Sequence, residues 1–458
     1  MHSHSLIISV SMNSNNRDIK KHSADKVALL LIFALGLLIA QLIIASRTKI
    51  NLSRPIKLEF AGLSVSVPLG SNWQNSGGWK YGPENGYILA AQLRTAGRAV
   101  AQVQWRYLLA PEKIPPSELL SKTITANNAK IINKGQISGN VTIQWAQLEL
   151  PGSIEDSFVG YAGLDQWRVL ELKVATPADL DLAERLFQVS ARSINFTPDE
   201  LLKKGVGFIE NIKNANFGTL IKTGHDGSSE RAFVIKAADG KNVGFLLEVL
   251  ADAYAQQRWT GIKSQALQQL GTKKEWFNED YMFECDGRFD SFVLQTKQNF
   301  AGGVSSEYIM IDMAKQGTMS VSAESFGREK IYWPGKAAVP ETLLDTMAEA
   351  FLDYDGGEVI IDVISTSGRI VPTRLSRIEP QQDKGFDTEA AYAVRLDFLF
   401  AKNLYQELYF DRNRQLIGKF EQRQQPFMWH PSDRSSLMKL FPLSRDNIQR
   451  VTKKNLGL

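Results

Sequence analysis

Apolar and polar positions alternate with a period of two over much of this chain, the pattern of strands that bury one face. The segments 63–68, 87–93 and 100–108 read this way, as do 131–137, 141–150 and 167–174. Pro115-Pro116-Ser117-Glu118 opens a helix with Ser117 as its cap. Thr176-Pro177-Ala178-Asp179 opens a second, with threonine as the cap and Leu182, Leu186 and Val189 as its buried stripe. Thr197-Pro198-Asp199-Glu200 starts a third, which reads as a linker helix over 197–216. From about Phe217 onward, strand succeeds strand with Gly and Asn/Asp turns, at 231–237, 243–250, 289–296, 308–313, 319–325, 359–364, 391–400 and 406–410.

One run departs from alternation. VALLLIFALGLLIAQLIIA, residues 27–45, carries no charge and one polar side chain, Gln41. At about 1.5 Å per residue it reaches roughly 28 Å, close to the hydrocarbon thickness of a bilayer, so it predicts a single-pass transmembrane helix. The run is longer than the apolar part of a cleaved signal peptide, and Ile43-Ile44-Ala45 is a poor cleavage site. Arg17, Lys20, Lys21 and Lys26 before it balance Arg47, Lys49, Arg54 and Lys57 after it, so flanking charge does not orient it. Its place near the N-terminus reads as a signal-anchor that exports the residues C-terminal to it. The expected location is membrane, with the larger part extracytoplasmic, periplasmic in a bacterium. Residues 1–26, rich in Ser and Asn and holding His2, His4 and His22, read as a disordered tail.

The opening strand that ends in proline, Gly62-Leu63-Ser64-Val65-Ser66-Val67-Pro68 and then Trp73, begins a recognisable order. A strand pair, a helix, three strands, a C-terminal helix and a closing Ser193-Ile194-Asn195-Phe196 complete it. This order over residues 56–196 resembles the PsbP-like α/β/α sandwich. The resemblance implies a noncatalytic module that docks on proteins or membrane complexes, and it supplies no catalytic residues.

An internal repeat is read in the remainder. The first copy runs from Ile309-Met310-Ile311-Asp312 through Gln316-Gly317 to Trp333-Pro334 and a helix with Leu343-Leu344 and Met347. The second runs from Leu408-Tyr409-Phe410-Asp411 through Arg412-Asn413-Arg414 to Trp429-His430-Pro431 and Leu437-Met438. Each copy predicts an antiparallel meander closed by a Trp-Pro corner and a helix. The expected fold class is therefore α+β: one N-terminal transmembrane helix, the sandwich at 56–196, the linker helix, and a two-lobed β-meander region with short crossing helices. The lobes cover 217–352 and 353–442, and 443–458 is a C-terminal tail. Curved meanders with a crossing helix loosely resemble the LolA-type half-barrel, at the level of fold alone.

A chain of 458 residues calls for two or three domains. A net charge of +4 is small for this length and gives no reason to expect nucleic acid. The single cysteine, Cys285, allows no internal disulfide and reads as a small buried hydrophobe. His225, in Gly224-His225-Asp226-Gly227, and His430 are isolated and read as turn residues. No cluster has zinc-ligand spacing, and neither a nucleophile elbow nor a phosphate-binding Gly loop occurs.

Asp353-Tyr354-Asp355-Gly356-Gly357-Glu358 offers oxygen ligands for calcium, but its composition suits a turn between a helix and a strand better. Glu279, Asp280, Glu284, Asp286 and Asp290 form a second acidic set that reads as a solvated face. Trp73, Trp79, Trp105, Trp145, Trp167, Trp259, Trp276, Trp333 and Trp429 read as core and corner residues rather than a ligand groove. Asn51, Asn140 and Asn195 begin glycosylation sequons at about the chance frequency.

The sequence thus assigns no catalytic, cofactor-binding or metal residue and no cofactor. The expected function is a membrane-tethered, noncatalytic protein-binding or assembly protein. The alternatives are a lipid or lipoprotein carrier using the β-rich region, and an unrecognised hydrolase built on Cys285 or the acidic sets. The expected partners are the membrane through residues 27–45 and a protein, with a lipid ligand as the other possibility.

Overall fold

The computed structural model describes residues 30–37, 50–82, 86–109, 115–151, 156–165, 168–176, 179–215, 228–252, 258–268, 276–286, 291–300, 303–312, 318–323, 327–332, 338–365, 369–381, 390–401, 403–423 and 425–452. For 258–332 it describes the backbone alone. The chain divides into two compact units, Met1–Leu52 and Ser53–Leu458.

In the first unit, residues 30–37 are helical and exposed. No helix among the described residues is long and apolar enough to cross a membrane. The transmembrane helix expected over 27–45 is therefore not supported, and the rest of that run lies outside the described residues.

The second unit is mostly β-sheet with few helices. An antiparallel eight-stranded sheet runs in the order Trp73–Asn75, Tyr87–Thr95, Arg98–Leu109, Arg168–Thr176, Asp156–Gly163, Ile143–Glu149, Lys130–Ile137, with Lys80–Tyr81 pairing beside Tyr87–Thr95. Helix α1 (Pro116–Ala126) sets Leu120 against Ala146, Leu148, Val159 and Tyr161 on one face. Helix α2 (Leu180–Arg192) covers the other, where Phe187 meets Trp145 and Phe158 with ring centroids 5.9 and 5.7 Å apart.

Both helix starts differ from the sequence reading. α1 begins at Pro116, with Pro115 rather than Ser117 in the cap position. α2 is capped by Asp179, whose carboxylate accepts from Leu182 N–H at 2.9 Å. Thr176 ends the preceding strand instead, and its hydroxyl donates to the Asp179 carbonyl. The true stripe of α2 is Ala183, Leu186, Phe187, Ser190 and Ala191.

The strands from Ser228 to Pro431 form one 15-stranded sheet. Its path runs from Gly327–Tyr332 back through Ser228–Ala237, crosses to Phe427–Pro431, and continues to Val359–Ile364 and Ala338–Pro340. All pairs are antiparallel except the last. The two lobes expected from the repeat are thus not separate. Phe233–Ala237 pairs with Phe427–Pro431, so Trp429-His430-Pro431 is strand and not a corner. Trp333-Pro334 lies outside the described residues.

Helix α3 (Glu200–Ala215) packs beside Val359–Ile364. Helix α4 (Leu344–Phe351) lies on one face of the sheet, with Leu344, Met347 and Phe351 among Val359, Ile361, Leu375, Val394 and Leu408. The opposite face holds α5 (Arg434–Leu440) and α6 (Arg445–Arg450). There Leu437, Phe441 and Ile448 meet Val234, Phe245, Leu247 and Val249.

The contact of α3 with the sheet turns on Gly205, where an added Cβ would overlap the Ile360 carbonyl. Two residues on, Gly207 faces open space. Gly205→Ala should cost about 1–3 kcal/mol through overpacking. Gly207→Ala should stabilise by about 0.5–1 kcal/mol through helix propensity. Urea unfolding of the two single variants checks the opposite signs.

Candidate functional site

The layered part at residues 56–196 meets the large sheet at a buried polar cluster. Strands Asp156–Gly163 and Arg168–Thr176 are joined by a connection that Asp165 holds, its carboxylate accepting from Arg168 N–H at 2.8 Å. The Arg168 guanidinium forks from there. One nitrogen reaches Asp165 at 3.1 Å and the other reaches Asp362 of the large sheet at 3.2 Å. The Arg168 side chain is 13% exposed and that of Asp362 8%. Alternation puts Asp362 on the face opposite Ile361, the face that carries α5 and α6.

Aromatic residues close around the pair. Tyr107 lies beside the ion pair and lines the same small cavity. Tyr87 stands opposite Tyr107 in the register and Tyr81 opposite Tyr87. Phe60 packs against Tyr87 with ring centroids 4.8 Å apart and planes tilted by 56°. The Tyr81 hydroxyl donates to the Ile370 carbonyl at 2.9 Å, a second polar link to the sheet. A cavity of about 10 Å³ remains among Phe60, Tyr87, Tyr107, Arg168, Asp362 and Pro372.

Burial governs the protonation of this cluster. It pushes the Tyr81 phenol up to about 12, and it raises Tyr87 and Tyr107 as well. It also raises Asp362 above the ordinary carboxylate range, against the opposing pull of Arg168. Arg168 is pushed down by burial, but Tyr107, Asp362 and Asp165 outweigh that and hold its charge firmly. Tyrosines that keep their protons and an arginine held between two carboxylates suit orientation of two layers rather than proton transfer.

A second buried set lies within the eight-stranded sheet. Glu171 accepts from Tyr161 at 2.8 Å and pairs with Arg106 at 3.3 Å, and Tyr161 shares a 2.8 Å bond with Thr123 of α1. A third lies at α4, whose Asp345 pairs with Lys419 and whose Glu349 approaches Arg231 at 3.7 Å. Lys419 also stands over the Trp429 ring, 5.3 Å from its centroid. None of these three sets stands out in the sequence, because each joins residues from distant segments.

The residues that do stand out in the sequence are scattered. Asp353–Glu358 connects α4 to the strand Val359–Ile364, with Asp353 paired to Arg414. Arg377 caps the end of α4 by donating to the carbonyls of Leu352 and Tyr354 at 2.7 and 2.6 Å. His430 sits in the strand Phe427–Pro431, its pKa lowered by burial and by Lys236. Cys285 takes a place in the strand Trp276–Asp286, opposite Trp259 and Phe292. Glu279, Asp280, Glu284 and Asp286 share that strand, with Glu284 and Asp286 on one face. His225 and Asp290 lie outside the described residues. Among the described tryptophans, Trp105 and Trp429 are buried, and Trp79 donates to the Ile56 carbonyl at 3.3 Å.

Breaking one side of the Arg168–Asp362 pair leaves a buried carboxylate alone. Arg168→Met should therefore destabilise the chain by about 3–5 kcal/mol near neutral pH. An unpaired Asp362 keeps its proton to higher pH when folded than when unfolded. The deficit is therefore full above its folded pKa and shrinks as pH falls through it. Denaturant midpoints of wild type and variant across pH 4–8 measure this convergence.

No family model matches the sequence, and no curated protein matches it. Among solved structures the chain is similar to the crystal structure of a beta-barrel-like protein of domain of unknown function DUF1849 from Brucella abortus. The TM-score is 0.33 and the identity 8%, over 44% of this chain and 95% of the other. At that identity and score the likeness assigns neither a family nor a function, and no family model matches the PsbP-like stretch 56–196.

Proposed function

We propose that the protein is a noncatalytic binding or assembly protein that takes an extended segment of a protein partner. The observation that carries this reading is the strand Lys130–Ile137, the last in the path of the eight-stranded sheet, which among the described residues pairs with Ile143–Glu149 alone. Five of its eight positions in a row are exposed, and among them Ile131 and Ile132 are 42% and 49% exposed. An edge with unpaired backbone groups is a template for strand addition, with main-chain bonds supplying affinity and side chains supplying selectivity.

The same strand is guarded against indiscriminate pairing. Its register slips between Gln147 and Leu148, a bulge that sets Ile132 out of the ladder. Lys130 and Lys134 bracket the two isoleucines. A partner segment that places apolar side chains on Ile131 and Ile132 and carboxylates near Lys134 matches this edge. The buried ion pairs support the reading from the other side, since Arg168, Asp362, Glu171 and Arg106 are committed to holding layers together.

The alternative, a lipid or lipoprotein carrier, is favoured by the placing of α4 against a broad antiparallel sheet. It requires a ligand to displace Leu344, Met347 and Phe351, which are buried there already. Native mass spectrometry distinguishes it by a co-purifying lipid mass.

Selection of displayed peptides on the full chain tests the primary reading. Selected peptides should slow amide exchange across Lys130–Ile137. Joint Ile131→Asp and Ile132→Asp substitution should weaken their binding at least about tenfold, the equivalent of ~1.4 kcal/mol. Peptides that protect another strand, or bind the double variant unchanged, contradict it.

A further inference from the structure

Tyr87 is 4% exposed, and among the described residues its hydroxyl has no hydrogen-bond partner. Buried hydroxyls are normally satisfied by protein or by ordered water. Tyr87 also lines the small cavity at the junction, together with Tyr107, Arg168 and Asp362. The cavity volume of about 10 Å³ is close to the space that one water-sized sphere requires. Its wall is polar on one side, where Asp362 accepts Arg168 at Oδ2 and retains acceptor capacity at its other oxygen. Phe60, Leu202, Ile370 and Pro372 supply the apolar part of its lining.

We infer that this cavity is a binding site for a single water molecule that bridges Tyr87 and Asp362. The water accepts the Tyr87 hydroxyl proton and donates to the Asp362 carboxylate. Each demand of the site selects a neutral, bifunctional ligand. An anion in this space meets the Asp362 carboxylate directly. A bare cation meets the Arg168 guanidinium and finds few oxygen ligands. Only a molecule that both donates and accepts satisfies the phenol and the carboxylate together. The site also has structural meaning, because Tyr87 belongs to the eight-stranded sheet and Asp362 to the 15-stranded one. A water held between them is a further polar link across the junction, beside Arg168–Asp362 and Tyr81–Ile370.

The direct test is a crystal structure of the full chain at atomic resolution, grown from sodium-free buffer. The expected result is one density peak about 2.6–3.0 Å from both the Tyr87 hydroxyl and an Asp362 oxygen. Magnetic relaxation dispersion of the full chain should show one fewer long-lived internal water in Tyr87→Phe than in wild type. The inference is overturned if the crystal shows no peak. It is also overturned if the Tyr87 hydroxyl bonds directly to protein, or if the peak has the multiple short contacts of a metal ion. The wild-type crystal decides the question even where Tyr87→Phe folds poorly.

Discussion

The pairing of Phe233–Ala237 with Phe427–Pro431 is the constraint on which the rest of this structure depends. It brings together residues as far apart as 233 and 431 and turns two meanders into one sheet. Closing so long a loop costs entropy, though that cost grows slowly with length. The return comes from both faces at once. On one, Phe233, Ile235, Leu246, Phe427 and Trp429 form a buried cluster. On the other, Val234 joins Phe245 and Leu247 beneath Leu437 and Phe441. The chain leaves the seam through Ser432, whose N–H donates to the Ala232 carbonyl, and Arg434 then reaches back to Glu230 at 2.6 Å. The placement of α5 and α6 is set by that exit.

Polar pairs fix orientation on this apolar framework. The two acidic residues of α4 are one turn apart and meet Lys419 and Arg231, which come from opposite sides of the seam. Apolar packing of Leu344, Met347 and Phe351 holds the helix down but leaves its rotation and sliding weakly specified. Two ion pairs at fixed spacing specify both. Arg168 and Asp362 act likewise at the junction of the two sheets, where burial makes any mismatched arrangement costly. Stability in this fold thus comes from apolar contacts, and register from charged ones.

Local patterns make much of the strand content legible. Alternation at 87–93 and 100–108 marks the strands Tyr87–Thr95 and Arg98–Leu109, because each buries every second residue against a helix or its neighbours. Thr176 and Asp179 are equally plausible caps by residue type, and only geometry shows that Asp179 is the one used. The Trp429-Pro431 segment has the composition of a corner but forms a strand, because its partner lies nearly two hundred residues upstream. The apolar run at 27–45 suggests a span on composition alone, but no helix among the described residues is long and apolar enough to cross a membrane. The candidate site is invisible in the sequence for a related reason. Arg168 and Asp362 are ordinary in their local segments, and their chemistry arises from burial that neither segment announces. The edge strand is visible as a strand at 131–137, but its position at the end of a sheet is a property of topology.

The seam makes the two meanders one cooperative body. Native-state hydrogen exchange of the full chain over a denaturant series measures this most directly. Amides of Phe233–Ala237, Asn242–Asp252, Val359–Ile364 and Phe427–Pro431 should merge into a single global opening with a common dependence on denaturant. Separate openings for Ser228–Asp252 and Val359–Gln422, with the seam amides exchanging before either, would contradict it.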